Sequence, residues 1–200
     1  MDNKIKNIIF DVGMVLIDFC WEKPCRDMGF SDEIIKAFEK NMITSQYWHK
    51  LDEGSMTEDE AIVRFKEIMP EYTEEIDRFF SVPESFVKEY DYAAPYIDEL
   101  HDRGYYVYLL SNYPLHMYEL HWPTFKFFSK VDGYIVSSVE KLCKPNPEIY
   151  HCLCDRYHLN PQECLFIDDR DDNVETAVSI GMTGHVFKGE AKLKEYIDSL

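Results

Sequence analysis

The sequence lacks the features that would place the protein in a membrane or in an oxidising compartment. It has no apolar run long enough to span a bilayer. Lysines precede the first apolar run as in a signal peptide, but Asp11 and Asp18 interrupt that run and no small-residue cleavage site follows. The six cysteines lack the paired spacing of a zinc site. We therefore expect reduced thiols, a cytoplasmic location and no membrane partner.

Basic residues are also scarce. Lysine and arginine number 21 against 38 acidic residues, which gives a formal net charge of -17. Such a chain repels phosphate backbones, so we expect no nucleic acid as a partner. An anionic substrate would have to be held by local donors and a cation, against the field of the whole protein. Nothing in the sequence indicates an oligomeric state.

The apolar content that is present follows a pattern. A hydrophobic fraction of 46% with 15% aromatic residues is typical of a folded globule. Two apolar runs end in acids, at residues 8–11 and 165–169, and each is typical of a buried parallel strand. Open α/β sheets place their ligand sites at such strand ends. Carboxylates that meet there repel unless a cation or a shared proton lies between them, so the two runs predict a metal site.

Helices alternate with apolar strands from about residue 91 onward, which is the signature of βαβ units. The predicted strands are 4–11, 105–110, 134–136, 164–168 and, at an edge, 184–187. Residues 18–91 instead have the pattern of acidic helices around an aromatic interior. The predicted fold class is therefore α/β. Residues 1–17 and 92–200 form a Rossmann-like parallel-sheet core, and residues 18–91 form an inserted helical cap.

Capping residues mark several helix starts. The predicted N-terminal caps are Ser31, Thr57 with Glu60 in a capping box, Asn146-Pro147 and Asn160-Pro161. A last amphipathic helix is expected to place Leu193, Ile197 and Leu200 on one side.

Four segments leave polar side chains at a strand end or in the loop after it: Asp11, Ser111 with Asn112, Lys144 in Cys143-Lys144-Pro145, and Asp168 with Asp169. In their order and surroundings, these segments closely resemble the four motifs of the haloacid dehalogenase superfamily, over the whole chain. Each motif alone is weak, because Ser111-Asn112 is also typical of a turn or a cap, and Lys141 competes with Lys144 as the matching lysine. The fixed order of all four carries the resemblance.

The resemblance implies a role for each of these residues in phosphoryl transfer. Asp11 would be the nucleophile. The phosphate would be held by Ser111, Asn112 and Lys144. Lys144 would also be catalytic, because its charge would stabilise the equatorial oxygens during transfer.

The resemblance also implies a Mg²⁺ ion as cofactor. Its protein ligands would be one oxygen of Asp11, the main-chain carbonyl of Gly13 and a carboxylate oxygen of Asp169. Asp168 and Asn173 would orient these ligands and the bound water. For Asn173, capping of the helix that begins there is an equally good interpretation.

Residue 13 departs from the commonest pattern of the superfamily. Most of its phosphatases carry a second aspartate two residues after the nucleophile, as general acid and base, and here that residue is Gly13. Residues 10–15 resemble the branch that includes sugar-1-phosphate phosphatases, in which glycine occurs at this place. The missing acid predicts a slow enzyme, a proton donor from the insert, or a leaving group that tolerates poor protonation.

The resemblance therefore implies a Mg²⁺-dependent phosphatase that acts on a small phosphorylated metabolite through an aspartyl-phosphate on Asp11, with a sugar phosphate as one candidate substrate. Two alternatives stay open. A metal-independent haloacid dehalogenase would use Asp11 to displace halide, but it needs no second acidic cluster. A catalytically weak member would bind a phosphorylated ligand or a protein partner, and Gly13 is the feature that favours it.

Overall fold

The structure is a computed structural model that describes residues 5–200. These residues contain seven strands: β1 (Asn7–Phe10), β2 (Ile17–Phe19), β3 (Val87–Glu89), β4 (Tyr106–Ser111), β5 (Gly133–Val136), β6 (Cys164–Asp168) and β7 (Thr183–Val186). Five of the strands form one parallel sheet in the order β5-β4-β1-β6-β7. The α/β fold with a parallel, Rossmann-like sheet is therefore confirmed.

The first strand lies at the centre of the sheet because it is apolar on both faces. All four residues of β1 are buried, as a central parallel strand requires. Ile9 pairs with Tyr108 of β4 on one side and with Phe166 of β6 on the other. Parallel strands end at the same edge of a sheet, so the residues that follow β1, β4 and β6 are brought together there.

The predicted strand bounds are right to within a few residues. β6 spans the predicted residues 164–168. β1 is shorter than the predicted 4–11, of which residue 4 lies outside the described residues. β4 extends to Ser111, which is therefore the last residue of a strand rather than the first residue of a loop.

Helices cover both faces of the sheet and fill the insert. They are α1 (Glu22–Asp27), α2 (Asp32–Phe38), α3 (Gln46–Glu53), α4 (Glu58–Ile68), α5 (Thr73–Phe80), α6 (Ala93–Asp102), α7 (Leu115–His121), α8 (Ser137–Glu140), α9 (Pro147–Tyr157), α10 (Asp171–Ser179) and α11 (Glu190–Asp198). Within residues 5–200, no helix combines the length and the apolarity needed to cross a bilayer.

Three of the predicted helix caps are confirmed. The Ser31 hydroxyl accepts a hydrogen bond from the Ile34 N–H, and Asn146 caps α9. Thr57 and Glu60 form the reciprocal capping box that starts α4. These caps satisfy N–H groups that would otherwise have no partner in the first turn of each helix.

The fourth predicted cap starts only a short 3₁₀ turn, and the predicted end of the last helix is wrong. Asn160 caps only the single 3₁₀ turn Pro161–Glu163, because β6 begins at the next residue and leaves no room for a helix. Leu200 lies beyond the end of α11 and is 53% exposed. Only Leu193 and Ile197 anchor this helix to the core.

The insert leaves and rejoins the core through a short antiparallel ladder, in which Ile17 pairs with Glu89 and Phe19 with Val87. Its interior is aromatic, as the sequence predicted. The fully buried ring of Phe79 packs against the rings of Trp21, Phe38, Phe80 and Phe86. The same apolar cluster continues into the sheet, so the insert is held against the strand ends by a shared core.

Candidate active site

The ends of β1, β4 and β6 open into a cavity of about 260 Å³ between the sheet edge and the insert. Its polar walls include Asp11, Gly13, Asn112, Lys144, Asp169 and Asn173 from the sheet side, and Asp52 from α3 of the insert. Two of the predicted site residues, Ser111 and Asp168, are buried and do not line the cavity.

Asp11 follows β1 directly and is held by main-chain hydrogen bonds. Its N–H donates to the Ile167 carbonyl at 2.8 Å, and its Oδ1 accepts from the Val12 N–H at 2.7 Å. Burial raises the pKa of Asp11 to about 7, although the Lys144 ammonium opposes this rise. A carboxylate in this position therefore depends on neighbouring positive charge to stay ionised.

Lys144 lies between two carboxylates. Its Nζ is 2.9 Å from Asp11 Oδ1 and 2.7 Å from Asp168 Oδ2, and the residue is 3% exposed. Burial disfavours its charge, but Asp11 and Asp168 raise the pKa of Lys144 above the ordinary value. Lys141, the competing lysine in the sequence, donates instead to the Gly54 carbonyl. The lysine beside Asp11 is therefore Lys144.

Asp168 is completely buried, and both of its oxygens are already engaged. Oδ1 accepts from the Arg170 N–H at 2.9 Å, and the Asn173 Nδ2 lies 3.0 Å from each oxygen. With Lys144 on Oδ2 as well, this carboxylate fixes the positions of the groups around it. It is poorly placed to bind a ligand in the cavity.

Asn112 and Ser111 occupy the end of β4 in different ways. The Asn112 side chain accepts from the Lys144 N–H at 2.8 Å and donates to the Lys144 carbonyl at 2.9 Å. Its amide thus clamps the main chain that carries the lysine. Ser111 is 1% exposed, and its hydroxyl makes only a long contact of 3.5 Å to the Asn112 carbonyl. The hydroxyl therefore does not face the cavity in this structure.

The acidic side chains suit a divalent cation. Asp11, Asp168 and Asp169 each offer an oxygen, and these three atoms lie within 4.8 Å of one another. With all three ionised, Lys144 would leave two negative charges uncompensated. The Oδ1 of Asn173 is buried and accepts no hydrogen bond within residues 5–200. Oxygen donors and this residual charge fit a hard ion such as Mg²⁺ or Ca²⁺.

Helix α3 contributes two side chains to the cavity, Trp48 and Asp52. Trp48 belongs to the aromatic residues of the insert, but sequence reasoning did not single out Asp52. A local signal was available, because residues four apart share one face of a helix. That Trp48 and Asp52 face the strand ends depends on the tertiary fold.

Comparison with curated proteins finds relatives with phosphatase names. The chain is 26% identical to D-ribitol-5-phosphate phosphatase of Bacteroides thetaiotaomicron over 194 residues, which cover 88% of this chain and 89% of that protein. It is also 26% identical to a sesquiterpene phosphatase of Aspergillus oryzae, over 92% of this chain and 90% of the relative. Acyl-CoA dehydrogenase family member 10 of Mus musculus is 27% identical, but the match spans only 18% of that protein.

The fold is shared with solved structures. A HAD family enzyme from Bacteroides thetaiotaomicron, determined as the wild-type protein in complex with magnesium and inorganic phosphate, superposes with a TM-score of 0.72. The two sequences are 27% identical, and the match covers 93% of this chain and 96% of the other. The family model of haloacid dehalogenase-like hydrolases matches residues 5–181. The chain therefore belongs to the haloacid dehalogenase-like hydrolases.

Proposed function

We propose that the protein is a Mg²⁺-dependent phosphatase that hydrolyses a small phosphorylated metabolite through an aspartyl-phosphate on Asp11. The observation that carries the proposal is the pairing of buried Asp11 with Lys144 at 2.9 Å, in a cavity that also contains an acidic cluster. The phosphatase names of two relatives support the reaction class. The related structure that holds magnesium and phosphate supports the cofactor.

Asp11 and Lys144 have different roles in the proposed reaction. Asp11 attacks phosphorus, the bond from phosphorus to the leaving oxygen breaks, and water then hydrolyses the aspartyl-phosphate to release inorganic phosphate. Lys144, held between two carboxylates, offsets negative charge on the transferring group. Mg²⁺, bound by Asp11, the Gly13 carbonyl and Asp169, would supply further charge neutralisation and polarise a phosphate oxygen.

Other predicted roles belong to the same proposal. Asp168 and Asn173 orient the residues around the metal, and Asn112 acts on the phosphate by positioning Lys144. Ser111 needs a rotated hydroxyl to reach a phosphate. Residues 1–17 and 92–200 act as the catalytic core, with 18–91 as the cap. A cytoplasmic location fits the six free thiols.

The cavity wall narrows the class of substrate. Beyond the carboxylates and Lys144, much of the wall is apolar: Met14, Ile17, Phe19, Trp48, Val87, Pro114 and Met117. The Asn112 amide is occupied by Lys144, and Arg170 is paired with Asp172. Apart from the carboxylates and the Asn173 Oδ1, the wall offers few free polar groups to the hydroxyls of a sugar phosphate, and a buried hydroxyl without a partner is costly. The wall therefore favours a phosphate ester with an apolar or aromatic organic group.

The two alternatives account for fewer of the observations. A metal-independent dehalogenase has no use for the acidic cluster of Asp11, Asp168 and Asp169. A catalytically idle binding protein has no use for a carboxylate and a lysine held 2.9 Å apart at the cavity. Covalent capture of a phosphate mimic such as beryllium fluoride by Asp11 separates an active phosphatase from an idle binder.

An assay of the purified protein over a panel of phosphate esters tests the proposal. We expect hydrolysis of p-nitrophenyl phosphate and of isoprenyl monophosphates with Mg²⁺, loss of activity with EDTA, and recovery when Mg²⁺ is added back. Values of kcat/KM for these esters should exceed those for ribitol and glucose phosphates by about tenfold or more, since one buried hydroxyl without a partner costs about 1–3 kcal/mol. Halide release from a haloacid with EDTA present would overturn the proposal in favour of a dehalogenase.

A further inference from the structure

The residue two places after the nucleophile carries no acidic side chain that could donate a proton. Residue 13 is glycine, and a Cβ built on it would meet no atom within 4 Å. The place next to Asp11 that a second aspartate would occupy is therefore open space, and no other core residue fills it. The leaving oxygen must obtain its proton from elsewhere, or leave as an anion.

Asp52 reaches the same cavity from the insert. It lies in the last turn of α3, and it lines the cavity together with Asp11 and Gly13. Its side chain forms no hydrogen bond or ion pair with any residue among 5–200. An acidic side chain that is partly buried, faces a cavity and has no protein partner is available to a bound ligand.

The end of α3 is fixed against the core, so the position of Asp52 is defined. The Ser137 hydroxyl donates to the Asp52 carbonyl, and Lys141 donates to the carbonyl of Gly54. Gly54 has φ +66°, and a Cβ there would collide with the Ser138 carbonyl oxygen. Only glycine permits this conformation together with this close approach.

We propose that Asp52 is the general acid and base of the reaction, in place of the carboxylate that is missing at residue 13. This inference rests on the phosphatase function proposed above. In the first step, Asp11 forms a bond to phosphorus, the bond from phosphorus to the leaving oxygen breaks, and that oxygen takes the proton of Asp52. In the second step, the oxygen of a water molecule forms a bond to phosphorus while the Asp52 carboxylate accepts a proton from that water, and the bond from Asp11 to phosphorus breaks to release inorganic phosphate and the Asp11 carboxylate.

The electrostatic surroundings are compatible with this role. Burial, followed by the charge of Asp11, raises the pKa of Asp52 to about 8, and Lys144 opposes the rise. The other titratable groups that interact with Asp52 are Tyr113 and Cys143. The raised pKa favours the protonated form of the carboxyl group, which the first step needs.

Substrates with different leaving groups test the role of Asp52. In the Mg²⁺-loaded protein, Asp52→Asn should lower kcat for a simple alkyl phosphate by about 10²–10⁴-fold, because the alkoxide needs protonation. With p-nitrophenyl phosphate, whose leaving group departs as an anion, the loss should stay below about tenfold. KM should change little for either substrate. Glu53→Gln, a matched change of the neighbouring acid outside this cavity, should leave both rates unchanged.

A second variant and a stability measurement complete the test. Gly13→Asp in the Asp52→Asn background should restore alkyl phosphate hydrolysis, since the space beside Asp11 is open. An acid whose pKa is raised by folding contributes stability that is lost as pH rises through the folded-state value. Asp52→Asn removes this loss, so the Tm of the variant should rise relative to the wild-type Tm between about pH 4 and pH 8.

The outcomes separate the two proposals. If Asp52→Asn loses equal activity with both substrates, or loses none with either, the proposed role of Asp52 is wrong. The phosphatase function would still stand in that case, provided that the wild type hydrolyses p-nitrophenyl phosphate. A wild-type protein that hydrolyses no phosphate ester with Mg²⁺ would overturn both.

Discussion

At the scale of single residues, the site consists of buried charges that stabilise one another. Lys144 contacts Asp11 and Asp168, and each of the three is less than a tenth exposed. Desolvation of such groups is offset only when partners and hydrogen bonds are well placed. The double clamp from Asn112 onto the Lys144 main chain provides this placement. Residues beside the site therefore control its geometry as much as those that face the cavity.

The variant Asn112→Ala tests this positioning role. It removes two hydrogen bonds to the main chain of Lys144, and we expect the free energy of unfolding to fall by about 1–3 kcal/mol. kcat should fall as the lysine loses its fixed position. Urea denaturation and a p-nitrophenyl phosphate assay measure the two effects. The exposed control Gln162→Ala should stay within about 0.5 kcal/mol of the wild type, and an equal effect from both variants would contradict the account.

At the scale of elements, the insert depends on its aromatic interior. Phe79 of α5 is completely buried and contacts the rings of Trp21, Phe38, Phe80 and Phe86. Phe79→Ala should lower the free energy of unfolding by about 3–5 kcal/mol because it leaves a large cavity. Val63→Ala, at a residue that is 54% exposed on α4, should cost no more than about 0.5 kcal/mol. Similar midpoints for both variants in thermal denaturation would contradict this packing.

The elements that could be predicted from the sequence are those with local signals. The apolar run of β6 and the capping box of Thr57 and Glu60 are encoded by residues close together in the chain. The ladder between β2 and β3 pairs three-residue strands that lie far apart in the sequence, so no local pattern indicates it. Asp52 was missed for the same reason, since only the tertiary fold brings α3 over the strand ends.

The arrangement of the four polar segments at the strand ends could also be predicted only in part. Their order predicted that Asp11, Lys144 and Asp169 lie together, and the structure brings all three to one cavity. The burial of Ser111 was not predicted. β4 is one residue longer at this end than predicted, so that Ser111 is its last residue, and the side chain is buried. Strand alternation decides which side chain faces a site, and bounds are the least certain part of a sequence-based prediction.

For the molecule as a whole, the net charge disfavours binding of the substrate that the proposed reaction requires. A chain with a formal charge of -17 repels a phosphorylated substrate. Around the strand ends, the single positive charge of Lys144 faces three carboxylates, those of Asp11, Asp168 and Asp169. A bound divalent cation would neutralise the two negative charges that remain, so we expect metal to be needed for substrate binding as well as for chemistry.

Attack of Asp11 on the phosphate can be tested with a variant that lacks the nucleophile. We compare the rate of p-nitrophenyl phosphate hydrolysis by Asp11→Asn with that of the wild type, at saturating Mg²⁺ and with matched thermal denaturation curves. We expect the rate to fall more than about a thousandfold, since removal of the nucleophile eliminates the covalent route. A folded Asp11→Asn protein whose rate stays within about tenfold of the wild type would contradict it.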